Sequence, residues 1–407
     1  MNNLEKLIQE KCPNGVEYKT IGELCDVYTG GEPPEDLIKG KKPEGEYVYP
    51  IYSNGIDENA LYGYSKEYRI NEKAITFSSI GTIGHPTLRE ANFTPIIRLK
   101  VIIPKDHGVL NIDYLKYALE IVEFKKNKSS LPNVNAKMIK DIRVAIPPIE
   151  VQKEIVRILD NFTELTAELT AELTARQKQY EYYRNKLLSF DESAESLDTL
   201  HTHTHTHTHG YSYGQEIKWI KLGDIGSVCM CKRIMKNQTK TEGDIPFYKI
   251  GTFGKNADAY ISKALFKEYK DKYSYPKKGT ILLSASGTIG RTVIYNGEPA
   301  YFQDSNIVWI DNDEKIILNK YLYYLYKIID WKVEGGTIKR LYNDNIKNTV
   351  IPVPPLDVQE KIVNILDKFD KLTNDISEGL PAEIEARQKQ YEYYRNKLLS
   401  FKELKTA

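Results

Sequence analysis

At 407 residues the chain is too long for one ordinary domain and ample for two hydrophobic cores. Its 57 Lys plus Arg nearly cancel 56 Asp plus Glu, which excludes an all-over basic coat and confines any nucleic-acid surface to local patches. Four cysteines exclude a disulfide scaffold, no apolar run reaches the roughly 18–20 residues of a membrane span, and the polar start MNNLEKLIQEK is no signal peptide, so the cytoplasm is the expected compartment.

Residues 1–148 read as a first head of mixed α/β character. Within it a polar loop, GGEPPEDLIKGKKPEGEY (30–47), precedes an extended, Tyr-rich stretch, YPIYSNGIDENALYGYSK, and then the strand-like ITFSSIGTIG (75–84). Pro147 and Pro148 stand before a helix over 149–190, where prolines break nothing. Its apolar positions Val151, Ile155, Ile158, Phe162, Leu165, Leu169, Leu173, Tyr180, Tyr183 and Leu187 form a coiled-coil seam, which steps by four through TELTAELTAELTA (163–175). As one helix the segment extends roughly 60 Å. Residues 191–214 form a low-complexity linker in which HTHTHTHTHG alternates five histidines, a tether whose extended form also has the geometry of a metal chelate but lacks a second ligand type.

A second head over 215–353 repeats the order, with IPFYKIGTFGKNADAYISK and then ILLSASGTIG (281–290). A second helical segment over 354–407 carries Val358, Ile362, Ile365, Phe369, Leu372 and Ile376 on its seam, with a break expected at GLP (379–381). The duplication is explicit: PPIEVQKEIVRILDNF (147–162) matches PPLDVQEKIVNILDKF (354–369), and RQKQYEYYRNKLLSF stands at both 176–190 and 387–401. The fold class that follows is α+β: two α/β heads separated by two long antiparallel coiled-coil helices, related by an internal pseudo-twofold repeat.

Outside this framework the heads diverge, as if doing one kind of job on different targets. Between Lys232 and Lys278 there are 12 Lys plus Arg against 5 Asp plus Glu, interleaved with tyrosines; this is a phosphate-binding surface or, alternatively, a solvated lysine-rich face. Catalytic chemistry is not legible. The chain has no NPPY-type amino-methyltransferase motif and no Gly-rich nucleotide loop with its Lys, and the GTIG segments read as tight turns between strands. Cys229 and Cys231 form a C-x-C with no second pair nearby and read as inert thiols.

Two divergent heads, paired coiled-coil segments, TAEL tetrads and the terminal EGLPAEIEARQKQYEYYRNKLL together resemble the specificity subunits of type I restriction–modification systems, over essentially the whole chain. The resemblance implies a non-catalytic subunit whose heads are target recognition domains for the halves of a bipartite double-stranded DNA sequence. It implies helices that set the gap and dock two modification (methyltransferase) subunits, with restriction (endonuclease/translocase) subunits joining them. The chain would hold no cofactor or metal of its own. S-adenosylmethionine belongs to the modification subunit, and ATP with Mg to the restriction subunit. Candidate DNA contacts are Lys41, Lys42, Tyr52, Asn54, Ser79, Thr82 and Arg89 in the first head, and Lys232, Arg233, Lys249, Thr252, Ser286, Thr288, Arg291 and Asn306 in the second. The lysines suit phosphates, whereas Asn54, Arg291 and Asn306 suit paired hydrogen bonds to bases. The rival readings are a coiled-coil adaptor that never touches DNA and a fused restriction–modification enzyme.

Overall fold

A computed structural model of the chain describes residues 2–55, 57–79, 85–122, 134–190, 217–336, 339–375 and 377–404. The first GTIG segment, including Thr82, and the His-Thr tract lie outside them. The chain forms two compact units, Met1–Ala171 with Glu383–Ala407, and Glu172–Ala382. Each unit therefore takes in helix as well as head.

The first unit begins with α1 (Asn2–Lys11), β1 (Glu17–Thr20), α2 (Ile21–Leu24) and β2 (Cys25–Thr29). Thr20 and Glu23 close a capping box over α2, satisfying two N–H groups at the helix start. Then come β3 (Leu37–Ile38), β4 (Tyr49–Tyr52), β5 (Leu61–Ser65), β6 (Ala74–Phe77), β7 (Pro86–Arg89), β8 (Thr94–Pro95) and β9 (Lys100–Pro104). After these, α3 (Ile112–Glu120) and α4 (Ala136–Lys140), each N-capped by an Asn, lead to β10 (Arg143–Ile146) and α5 (Ile149–Leu188). One antiparallel sheet has the order β2-β9-β6-β7, a second the order β3-β5-β4-β8 with β4 and β8 parallel, and β1 pairs with β10.

The second unit repeats this plan. It has β11 (Lys218–Lys221), α6 (Leu222–Ile225), β12 (Gly226–Cys229), β13 (Ile245–Tyr248), β14 (Tyr260–Ile261), α7 (Lys263–Lys272), β15 (Ile281–Ser284), β16 (Thr292–Ile294), β17 (Tyr301–Phe302) and β18 (Ile307–Asn312). It continues with α8 (Asn319–Tyr326), α9 (Asn343–Asn348), β19 (Val350–Val353), α10 (Leu356–Asn374) and the first residues of α11 (Leu380–Leu398). Its sheet β12-β18-β15-β16 reproduces the order of β2-β9-β6-β7, and β11 pairs with β19 as β1 does with β10. GTIG at 287–290 makes the turn between β15 and β16, where Gly287 and Gly290 hold positive φ.

Each head is fastened to its helix by the same buried side chains. Gln152 Nε2 donates to the carbonyls of Val109 and Pro147, both at 2.8 Å, and its Oε1 accepts from the Asn111 N–H at 2.8 Å. Gln359 does the same with Ile316 (3.0 Å), Pro354 (2.8 Å) and Leu318 (2.9 Å). Farther along, the Tyr117 hydroxyl donates to Asp160 and the Tyr324 hydroxyl to Asp367, each at 2.6 Å.

The fifteen-residue copies exchange places. In the first unit Tyr394, from the second copy, stacks on Phe162 at 5.5 Å; in the second, Tyr183, from the first copy, stacks on Phe369 at 5.6 Å with the same 22° between planes. After Tyr394 the chain runs back to β1: the Tyr18 hydroxyl donates to the Phe401 carbonyl, and Glu403 bridges Val16. That is the end from which α5 departs, so α11 and α5 are antiparallel within this unit.

Two details of the helices differ from the expected pattern. The buried line turns onto Leu159 and Leu366 in place of Ile158 and Ile365, and Ile365, Leu165 and Leu372 are exposed. A step of four advances about 40° beyond a full turn, so the tetrad tract drifts off any single face. The chain leaves α10 after Asn374 and enters α11 at Leu380, so of GLP only Gly379 lies in the break. Asp375 Oδ1 accepts the Ser377 N–H at 2.7 Å, Gly379 fits where a Cβ would lie 2.6 Å from two carbonyl oxygens, and Pro381 stands in the first turn of α11, where no N–H is needed.

Gln152→Leu keeps the volume but leaves two carbonyls and one N–H unpaired in the interior. A loss of about 3 kcal/mol in the first unit is expected in urea titration; an unmoved transition would show the amide to be dispensable.

Candidate nucleic-acid interface

Strand register gathers the variable loops of each head at one sheet end. In the first unit Thr29 pairs with Lys100, Lys100 with Phe77, and Phe77 with Pro86, so the segments after β2, after β6 and before β9 leave from one place. The C-terminal end of β4, with Tyr52 beside Pro95, feeds the same cluster. In the second unit Cys229 pairs with Trp309, Ser284 with Ile307 and Leu283 with Thr292, while Tyr248 at the end of β13 pairs with Phe302.

Of the residues expected in the first head, Tyr52, Asn54 and Ser79 come together. Asn54 Oδ1 accepts from the Ser79 N–H (2.8 Å) and hydroxyl (3.1 Å), and its Nδ2 donates to the Ile97 carbonyl. Arg89 is a correction to the expected exposed cation: it is 9% exposed, its guanidinium carbon lies 4.0 Å from the Tyr52 ring centroid, and its Nε donates to Thr76 at 3.3 Å. Its aliphatic stem and flat head suit an under-layer beneath Tyr52. Lys41 and Lys42 are exposed in a separate loop after the edge strand β3.

The second head ties its loops more fully. Arg291 donates to the Phe253 carbonyl (3.0 Å) and the Thr288 hydroxyl (3.2 Å), and Asn306 Oδ1 accepts from Ser286 (2.7 Å) and Arg340 (2.8 Å). Thr252 accepts the Lys249 N–H at 3.1 Å, Lys249 pairs with Asp258, and Arg233 pairs with Asp304 at 2.8 Å. Lys232 is exposed, its ammonium 5.1 Å from the Tyr273 ring centroid. The amide oxygens of Asn54 and Asn306 and two guanidinium nitrogens of Arg291 are thus engaged within the protein.

Several contributors escaped the sequence reading. Lys100 is 7% exposed, with its ammonium 3.2 Å from the Thr29 hydroxyl; burial, then the nearby Arg98 charge, pulls its pKa down. Gln303 accepts the Ile250 N–H at 2.9 Å, joining two loops. No spacing marks these residues. The Gly30-Gly31 pair was a usable signal, because a Cβ on Gly30 would lie 2.8 Å from the Ile96 nitrogen. Burial raises the Cys231 thiol to about 12, which keeps it from serving as a ready thiolate, and among the described residues no cluster of His, Cys, Asp or Glu is arranged to hold a metal. No described helix is long and apolar enough to cross a membrane.

Two heads of one plan with loops of different chemistry define a duplicated recognition protein, and comparison with known proteins agrees. Residues 13–176 and 215–386 each match the type I restriction modification DNA specificity domain. A putative type I restriction enzyme specificity subunit of Haemophilus influenzae is 46% identical, with 98% of both chains covered. The specificity subunit of an Escherichia coli type I restriction enzyme is 30% identical over 100% of this chain and 99% of its own. The crystal structure of a type I S subunit from M. genitalium has the same fold, with a TM-score of 0.55 at 20% identity over 96% of this chain and 98% of that one. The chain belongs to the specificity subunits of type I restriction–modification systems, and its role is DNA recognition.

Gly30→Ala forces the β2 loop off the segment before β9, at about 1–3 kcal/mol for such overpacking. Faster hydrogen exchange at the Ile97 and Arg98 amides is expected; unchanged exchange would show that the close approach is not required.

Proposed function

We propose that each unit reads one half of a bipartite duplex target, and that the helical segments set the gap between the halves. The observation that carries this reading is one sheet order built twice, with unlike loops at the same end. Lys41, Lys42 and Lys232 hold phosphates, which fix register without reading sequence. Asn54, Arg291 and Asn306 hold the reading loops in place. A salt-dependent affinity for duplex DNA is the property that a DNA-free adaptor would lack.

Chemistry belongs to partners: modification subunits with S-adenosylmethionine, and restriction subunits with ATP and Mg. The identical helix copies favour two modification subunits, because they offer one surface twice. Tyr182 is 58% exposed and Tyr393, at the same place in the other copy, 62%. Each is packed edge-on against the next tyrosine, which orients an aromatic ring toward solvent. Tyr182→Ala and Tyr393→Ala should each lower occupancy from two modification subunits to one in native mass spectrometry, and the double variant to none. Full occupancy in the double variant would remove this surface from the interface.

Deleting four residues from the TAEL tract shortens α5 by about 6 Å, equal to roughly one or two base pairs at about 3.4 Å each. Methylome sequencing of that variant should show both half-sites intact and the gap changed; an unchanged gap would count against the helix as a ruler.

A further inference from the structure

Within the loop cluster of the first unit lies a turn that the sequence does not announce. Ile97 and Arg98 both have positive φ, 51° and 60°. A β-branched residue in that region is a true outlier and persists only where its surroundings over-determine it. They do. The N–H groups of Ile96, Ile97, Arg98 and Leu99 donate to the carbonyls of Tyr52 (2.9 Å), Gly31 (2.8 Å), Gly30 (3.0 Å) and Ile96 (3.1 Å), and Asn54 holds the Ile97 carbonyl. Every strained peptide is pinned by backbone, yet the side chains face out: Ile97 is 46% exposed, and Arg98 is exposed with no ion-pair partner among the described residues. Such a turn sacrifices backbone comfort to present one apolar and one cationic group.

The second unit holds the corresponding turn. Ser305, which precedes β18 as Arg98 precedes β9, has φ 58°, and beside it Asp304 carries the ion pair with Arg233. The strain recurs while the chemistry changes, from Ile-Arg to Asp-Ser with a tethered arginine.

We propose that the Ile97–Arg98 turn is the base-reading element of the first unit, with Ile97 against a thymine methyl and Arg98 on a guanine edge, and that the turn at Asp304 and Ser305 presents Arg233 in the second. This rests on the DNA-reading role of the units. A bidentate arginine on guanine and an apolar group on the thymine methyl are the pairings the major groove admits, and a rigid turn aims them without an ordering cost at binding.

The test places Arg98→Ala, Ile97→Gly and Arg233→Ala at the native locus and maps modified bases by methylome sequencing. Glycine accepts positive φ freely, so Ile97→Gly removes the side chain and relieves the strain. In Arg98→Ala and Ile97→Gly, one or two positions of the same half-site should relax, with sites mismatched there gaining roughly ten-fold or more in relative modification. The other half-site should stay unchanged, and Arg233→Ala should do the reverse. An unaltered motif in all three variants, or a uniform decline at every site, would overturn the assignment and leave the bipartite reading intact. A lower melting temperature for purified Ile97→Gly would also overturn it, marking Ile97 as packing. If the unsubstituted chain directs no split motif, the underlying reading fails first.

Discussion

Everything the heads do depends on a buried amide at the root of each helix. Gln152 and Gln359 are both fully buried, and each joins three backbone groups from two segments: the loop entering the head's helix and the proline pair that opens the spacer. An amide with both ends satisfied in the interior is directional where apolar packing is not. It fixes the azimuth at which α5 and α10 leave their heads. The Tyr117–Asp160 and Tyr324–Asp367 bonds, about two turns farther on, supply a second point, and two points define an axis. Were either head free to swivel on its helix, no helix length would translate into a defined direction for the loops at its far side.

That constancy is what lets the loops vary. The sheet end in each unit is closed by backbone register, which is indifferent to side chains, and the loops leaving it are tied by whatever groups they carry. In the first unit one asparagine links two loops; in the second Arg291, Gln303, Asn306 and Arg340 share the task. Different ties mean different projecting side chains on one frame, and a change in a loop leaves the core beneath it untouched.

The sequence carried the architecture further than the site. Repeated letters marked the helices, the proline boundaries and the doubling of the heads, because helix entry and strand alternation leave periodic marks. Even the clamps were on view, since the V-Q of PPIEVQ and PPLDVQ puts a polar residue in an apolar line, a pattern that asks for a buried partner. Burial of Leu159 over Ile158 was not legible, because a seam read by threes and fours does not say which neighbour faces the head. The site was less visible still. Arg89 read as a candidate DNA contact because nothing local shows that it packs against Tyr52. Ile97 and Arg98 carry no local mark of their turn, because positive φ is imposed from outside, by carbonyls of Tyr52, Gly30 and Gly31 that lie far away in sequence.

One question is how identical helix copies fit two heads that are not identical. The socket residue changes sign: Glu120 in the first unit and Lys327 at the matching place in the second. In the first, the Tyr391 hydroxyl donates to Glu120 at 2.9 Å, with Lys116 and Arg395 balancing the carboxylate. In the second, Lys327 lies beside Tyr180, 3.9 Å from the Tyr323 ring centroid, with Asp370 at 3.7 Å. An uncharged tyrosine is compatible with both sockets: as Tyr391 its hydroxyl donates to the carboxylate, and as Tyr180 its hydroxyl is buried near the ammonium with no hydrogen-bond partner among the described residues. A lysine or glutamate in its place would suit one socket and repel the other. The copies can therefore remain letter-for-letter the same, presenting one outer surface twice, only because the residue that meets the variable socket takes no side in charge.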